Sequence, residues 1–264
     1  MLSVRDATQS DVALICDFVF QLAVYERLEN EVTLSKSNFD KYLFSNIESP
    51  RPEVFIVTRP TLIGFALFVH ILPSTIYLED LFISESARGS GGGLALLRLL
   101  ARTTIQRKAT SLEWMCLNWN ESSIKFYQAL GANIIKDRRI LRISGHSLKM
   151  RILSNDLNVI NISNGIIKSM TSNASISYTL GFTTFLATPV ILVVGLEYSE
   201  ISDLGPLIDF LIADANTREY TRVDIRVVDE DVAGFLINEF NAVEMIGWLP
   251  FKLEGQSLEK LAQL

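Results

Sequence analysis

Cysteine and histidine are scarce in this 264-residue chain, at two residues each. Cys16 and Cys116 cannot build a disulfide framework or a Cys-rich zinc site, and His70 and His146 leave little for His-based metal or triad chemistry. No metal is expected. Long apolar runs are also missing. Residues 62–72 form an 11-residue stretch broken by His70, whereas a membrane span needs ~20 apolar residues. No basic-then-apolar leader opens the chain, since Asp6, Asp11 and Asp17 all fall among the first 20 residues. Without basic runs, nucleic acid is not an expected partner. What is present is 48% apolar and 20% charged residues at a mean hydropathy of +0.27. That is enough to bury a core, and it excludes intrinsic disorder. The expectation is a soluble, cytoplasmic globular protein of one large or two smaller domains, with no membrane association.

Charge divides the chain. Residues 1–152 hold 18 Lys+Arg and 15 Asp+Glu, while residues 153–264 hold 6 and 15. Such asymmetry marks two units of different character. The apolar spacing at Val12, Ile15, Val19, Leu22 and Ala23 predicts a helix over Ser10–Tyr25, with a second over Thr33–Leu43. Strands are expected at Glu53–Thr58, Leu62–Ile71, Thr75–Ser84, Ser111–Leu117 and Arg139–Ser144, and helices at Leu94–Lys108 and Ser122–Leu130. This alternation predicts an α/β layered plan, a mixed sheet flanked by helices. An offset of 110 carries Leu141–Leu148 (LRISGHSL) onto Phe251–Leu258 (FKLEGQSL), and Gly131-Ala132 onto Asn241-Ala242. A diverged, partial tandem repeat is the better reading. It divides the chain into domains at 1–152 and 156–264, with Ser154-Asn155-Asp156 as a short linker.

Arg88-Gly89-Ser90-Gly91-Gly92-Gly93 lies between a predicted strand and a helix. Glycines there allow backbone N–H groups to crowd an anion, and the helix N-terminus adds partial positive charge. With Tyr77-Leu78-Glu79-Asp80-Leu81-Phe82 before it and Trp119-Asn120-Glu121-x-Ser123-Ile124-x-Phe126-Tyr127 after it, the segment resembles the GNAT family of N-acetyltransferases. The diamine and thialysine acetylating members are the nearest in pattern. Leu22-Ala23-x-Tyr25-Glu26 and Ser147-Leu148-Lys149-Met150 extend the resemblance over roughly residues 3–152.

The resemblance implies an acetyl-CoA-dependent N-acetyltransferase acting on a small-molecule primary amine, with acetyl-CoA as cosubstrate. It implies that Arg88, Gly89, Ser90, Gly91, Gly92, Gly93 and Leu94 hold the pyrophosphate of CoA. Leu81, Phe82 and Ile83 would hold the acetyl and pantetheine groups, with Asn120, Ser123 and Tyr127 on the far side of the cleft. Glu79 matches the general base, Tyr127 the general acid, and Tyr25 and Glu26, with Glu79, the acceptor-binding residues. Two positions depart from the pattern. Ser122 replaces a usual proline, and Lys136-Asp137-Arg138-Arg139 stands where the family places Glu and Gly-Trp before its last strand. Basic residues there would repel a long polycation. At the 110 offset, Arg88, Gly89, Gly91 and Gly93 become Tyr198, Ser199, Ile201 and Asp203, and Tyr127 becomes Ile237. The second half is therefore expected to keep the fold without the chemistry, as an intramolecular pseudo-dimer; a homodimer or an independent domain is the other arrangement. The alternative function is a catalytically silent acyl-CoA-binding or scaffold protein.

Overall fold

A computed structural model describes residues 1–45, 52–71, 74–149, 159–162 and 165–264. Met150 and the expected linker 154–156 lie outside the described residues. The chain begins with β1 (Ser3–Asp6) and α1 (Val12–Glu26), whose buried stripe Val12, Ile15, Phe18, Val19, Leu22 and Ala23 has the predicted helical spacing. Next comes α2 (Lys36–Phe44). It starts three residues later than the sequence pattern suggested, because the Ser35 hydroxyl accepts the Asn38 N–H and caps it there. There follow β2 (Glu53–Thr58), β3 (Leu62–Ile71), β4 (Thr75–Ile83), α3 (Gly92–Gln106), β5 (Ser111–Leu117), α4 (Glu121–Ala129), β6 (Asn133–Ile134), β7 (Arg139–Ser144) and α5 (Gly145–Lys149). The second half adds β8 (Val159–Ile162), β9 (Ile166–Ser169), β10 (Ser175–Thr183), β11 (Thr188–Glu197), α6 (Leu204–Thr217) and β12 (Arg222–Val227). It ends with α7 (Glu230–Phe240), β13 (Val243–Glu244), β14 (Trp248–Glu254) and α8 (Gly255–Gln263).

Among the described residues these strands make two mixed sheets, ordered β1-β2-β3-β4-β5-β14-β6 and β8-β9-β10-β11-β12-β7-β13. The two orders are equivalent position by position, and each uses one parallel pair, β4 with β5 and β11 with β12. The sixth position is where they differ from chain order. β14 runs antiparallel to β5 from Trp248↔Leu117 to Glu254↔Ser111, and β7 runs antiparallel to β12 from Arg222↔Ser144 to Val227↔Arg139. Each half of the sequence thus supplies the sixth strand of the other half's sheet.

The compact units follow this exchange. Unit 1 comprises Met1–Lys136, Phe182–Thr188 and Gly247–Leu264; unit 2 comprises Asp137–Gly181 and Pro189–Ile246. The division expected at 152/156 therefore differs from the one observed, since β7 and α5 belong to unit 2 and β14 and α8 to unit 1. The physical reason lies in the repeat itself. LRISGHSL and FKLEGQSL have the same alternation and the same strand-to-helix turn, so either fits the same slot. Both slots also pair an acid with a base in register: Asp224 faces Arg142, and Glu113 faces Lys252. Arg142 grips Asp224 through two hydrogen bonds of 2.8 and 3.0 Å. Burial would raise the proton affinity of Asp224, but Arg222, Arg142 and Arg226 outweigh it and keep the carboxylate ionised.

The core of unit 1 joins α3 (Leu96, Leu97, Leu100, Ala101) to Ile76, Leu78, Leu112 and Trp114, and to Phe251, Leu253, Leu258 and Leu261 from the C-terminal end. Phe251 is fully buried and stacks on Trp114 at 5.7 Å. The equivalent core in unit 2 takes Leu141, Ile143 and Leu148. Phe251→Ala should cost ~3–5 kcal/mol and loosen unit 1, although the residue lies in the second half of the sequence. Leu141→Ala should act in the same way on unit 2. Hydrogen exchange followed by mass spectrometry checks both: Phe251→Ala should speed exchange at residues 112–117, and Leu141→Ala at residues 222–227. The reverse assignment would contradict the exchange.

Candidate functional site

The register of β3 against β4 slips by one residue at the centre of unit 1. Asp80 pairs with Leu67 and Leu78 with Phe68, which leaves Glu79 as the extra residue of a β-bulge. The slip changes which face each later residue presents. Before it, Ile76 and Leu78 join the core beneath α3; after it, Leu81 and Ile83 pack there instead. Asp80 and Phe82 are turned toward α1, where Phe82 meets Phe18 at 5.4 Å. The parallel ladder with β5 ends at the same place, its last pair being Leu78↔Trp114. Beyond that pair β4 stays bonded to β3 through Ala66↔Leu81, Phe65↔Phe82 and Gly64↔Ile83, and β5 stays bonded to β14. The strands splay, and the expected residues Leu81, Phe82 and Ile83 border the gap without pairing to β5; the Ile83 carbonyl accepts from Arg88 Nε at 3.3 Å. Gly64 is required at the far end, because a Cβ there would lie 2.3 Å from the Phe82 carbonyl oxygen.

The Gly-rich turn connects β4 to α3. Gly89 and Gly91 have φ of +76° and +88°, which side chains other than those of Asn and Asp rarely tolerate. Gly91 is the N-cap residue of α3, and the first N–H bonded within the helix is that of Ala95, to the Gly91 carbonyl. The amides of Gly92, Gly93 and Leu94 therefore form the open N-terminal turn of a 15-residue helix. Two of the expected amides are already engaged: Ser90 N–H donates to Ala87 and Arg88 N–H to Glu85. An open cavity of about 570 Å3 borders the turn, lined by Arg59, Thr61, Ile63 and residues 86–90.

Across the gap, Asn120 caps α4 and accepts two hydrogen bonds at its Oδ1. One comes from Ser123 N–H at 3.3 Å and one from the Tyr25 hydroxyl at 3.1 Å. Asn120 and Ser123 are thus engaged with each other and with Tyr25. The Tyr25 ring in turn contacts Trp119 at 5.6 Å and carries the Arg88 guanidinium 4.6 Å from its centroid. Glu26, the last residue of α1, meets Glu79 and Asp80 in a cluster of three carboxyls. Burial, then the charges of Asp80 and Glu79, push the Glu26 carboxyl up to about 8. Tyr127 comes from the opposite layer, enclosed by Trp114 at 4.9 Å and Phe251 at 5.5 Å. Burial raises its proton affinity further, with smaller contributions from Cys116, Glu26 and Tyr25. Cys116 itself is pushed up to about 12 by burial and by Glu26. Groups from the two faces of the sheet sense each other because the splay removes the strand pairing between them.

Sequence reading missed Arg27, Cys116 and the lead-in to β14. The Gly-Trp dipeptide absent before β7 is present as Gly247-Trp248, before the strand that completes the sheet of unit 1, and Asn118 N–H donates to the Gly247 carbonyl at 2.7 Å. The dipeptide was the available signal. Arg139 of the basic run is paired instead with Glu244 within unit 2 at 2.6 Å.

In unit 2 the equivalent lip has been rebuilt. Tyr198 holds the Asp229 carboxylate at 3.0 Å, and Asp229 caps α7 as Asn120 caps α4. α6 opens with Asp203 at its N-cap and Pro206 inside its first turn. Among the described residues no cluster of His, Cys, Asp and Glu could hold a metal ion, and no helix is long and apolar enough to cross a membrane.

Residues 21–132 match the acetyltransferase (GNAT) family. The L-ornithine N5-acetyltransferase of Arabidopsis thaliana is 26% identical over 195 residues, covering 55% of this chain and 86% of that protein. The thialysine N-epsilon-acetyltransferase of Bos taurus is 27% identical over 143 residues, covering 49% and 82%. A tandem GNAT protein from the clavulanic acid biosynthesis pathway shares the fold at 11% identity, with a TM-score of 0.53 over 96% of this chain and 98% of that one. Every residue matched by the family model lies in unit 1, the unit that contains the splayed sheet and the glycine turn.

Proposed function

We propose that unit 1 transfers the acetyl group of acetyl-CoA directly to the primary amine of a small molecule. The observation that carries this reading is the gap between β4 and β5, which has an open helix N-terminus at one lip and three carboxyls beside it. The relatives' names, an ornithine and a thialysine acetyltransferase, support an amine acceptor. The turn fits a pyrophosphate: no atom lies within 4 Å of where a Cβ would stand at Gly89 or Gly91, and the first-turn amides of α3 face no acceptor in their own helix. Gly91–Leu94 would hold the phosphates, with Arg88 and Arg59 of the bordering cavity adding positive charge. Acetyl-CoA supplies an activated acyl group and a thiolate leaving group.

The chain's own residues supply the proton handling. An alkylamine with a pKa near ~10 enters as a cation and attacks only after losing a proton. The charges of Asp80 and Glu79 attract that cation beside Glu26, whose carboxyl is pushed up to about 8 by burial and by those two charges. Glu79, the matched general base, then accepts the amine's one proton and leaves the neutral amine to attack. The Leu81–Ile83 edge of the gap donates backbone N–H to the developing oxyanion. Tyr127 protonates the departing thiolate, its high proton affinity keeping it in the acid form. A silent binding protein would have no use for this arrangement of carboxyls and phenol. Unit 2 is assigned no transfer chemistry: Tyr198–Asp229 spans its lip, Asp203 puts a carboxylate at the helix N-terminus, and Pro206 lacks an N–H.

Three measurements test this reading. Gly91→Asp should weaken acetyl-CoA binding by ~10²-fold or more through like charge, whereas Gly91→Asn, of the same shape and also tolerated at positive φ, should largely keep it. Calorimetry showing the two variants equal would remove phosphate from the turn. Tyr127→Phe should retain acetyl-CoA affinity and lower kcat by ~10²-fold or more; unchanged kcat in steady-state assays would exclude Tyr127 as the acid. The raised proton affinity of Glu26 favours folding below its ordinary value of 4.5 and loses that contribution as pH rises through about 8. Glu26→Gln should therefore be more stable than the parent at pH 9, by on the order of 1–3 kcal/mol. Urea unfolding should show that advantage shrinking to nothing toward pH 5.

A further inference from the structure

Moving outward from the three carboxyls of unit 1, the sign of the charge changes within one residue. Glu26 ends α1, and Arg27, next in the chain, is exposed with its guanidinium 5.5 Å from the centroid of the Trp119 ring. Trp119 contacts Tyr25, whose hydroxyl is tied to Asn120 at the gap. Arg27 is therefore fixed over an aromatic wall that continues into the site, and that stacking is a cation–π contact. Among the described residues no carboxylate forms a salt bridge with it.

Its backbone is also unusual. Arg27 has φ of +64°, at the C-terminal cap where the Leu28 N–H reaches back to the Ala23 carbonyl. Glycine is the relaxed residue for that conformation. A long cationic side chain stands where the backbone conformation itself favours none.

A pure polycation would meet this arginine as a repulsion. A molecule with an amine at one end and a carboxylate at the other would meet a complement at both. Resting on the amine-acetylation reading above, we propose that Arg27 is the specificity-determining residue of the acceptor site. It recognises the carboxylate of a diamino acid whose distal primary amine lies among Glu26, Glu79 and Asp80. Planar guanidinium and planar carboxylate can pair through two hydrogen bonds. The stacked position over Trp119 limits the side-chain freedom lost when they do.

The test compares L-ornithine with 1,4-diaminobutane, the same molecule without its carboxylate, as acceptors for the full chain. The parent should give a higher kcat/KM for L-ornithine. Arg27→Gly removes the side chain and relaxes the backbone, so the variant should remain folded and at least as resistant to urea as the parent. Its ornithine-to-diamine ratio should fall by ~10–10²-fold, the scale of one charge-assisted contact. Arg27→Lys should restore part of the ratio, and Arg27→Glu should turn the preference toward the diamine. A purely structural role would lower both acceptors alike and leave the ratio unchanged. A ratio unchanged in Arg27→Gly, or a parent that prefers the diamine, overturns the assignment of Arg27 while leaving amine acetylation intact. A parent that binds acetyl-CoA and acetylates neither acceptor overturns the underlying reading and this proposal together.

Discussion

The parallel ladder between β4 and β5 stops at Leu78–Trp114, and most of what unit 1 can do depends on that stop. A fully paired sheet would place a continuous layer of backbone between α1 and α4. The bulge at Glu79 contributes by turning Asp80 toward α1 while leaving Leu81 and Ile83 to pack beneath α3. Three carboxyls, a phenol and a strand edge not paired to β5 thus share one opening. The cost is a set of buried groups held in poor electrostatic company, most clearly Glu26, whose proton is retained to about pH 8. Such groups weaken a fold unless a cation arrives, which the proposed amine acceptor would supply.

Much of the fold was legible from residue patterns. Strands β2, β3, β5 and β7 have the boundaries that their apolar alternation indicates, and α1, α3 and α4 fall within two residues of where the spacing put them. What could not be read was the destination of the sixth strand. Alternation in LRISGHSL and FKLEGQSL states that each is a half-buried strand leading into a short helix, and nothing in either states which sheet receives it. The acid–base register pairs are equally neutral, since Asp224 would accept a lysine and Glu113 an arginine. One clue was available in the misplaced dipeptide. Gly247-Trp248 precedes β14 and Lys136-Asp137-Arg138-Arg139 precedes β7, as expected if the first sheet is completed by the later strand. Within unit 2, Arg139 of the basic run is engaged by Glu244.

The site was legible in part for a related reason. Glycines at 89 and 91 and the helix after them announce an anion seat, because the need for positive φ and free amides is written in residue type. Proton affinities are not written that way. That Glu26 holds its proton depends first on burial and then on a register slip, which sets Asp80 and Glu79 against it, and slips leave no mark in a strand of alternating residues. Nor does sequence reveal that the Ser90 amide is spent within the turn, or that Asn120 is already satisfied by Ser123 and Tyr25. Those are matters of local hydrogen-bond closure.

The same lip is built differently in unit 2. Gly91 in unit 1 is an N-cap without a side-chain hydrogen bond, in a conformation that gains nothing from the residue it holds. At the corresponding helix α6, Asp203 brings a negative charge to the helix N-terminus and accepts the Glu200 N–H at 3.2 Å, and Pro206 removes an amide that would otherwise lack a partner. At the facing helix, Asp229 takes the N–H groups of Asp231 and Val232 and the hydroxyl of Tyr198. Each change improves local satisfaction and removes a place for phosphate. The same sheet order tolerates both versions, so the open turn of unit 1 is not a requirement of the fold. It is the less satisfied of two arrangements this architecture accepts, and the proposed phosphate contacts would complete it.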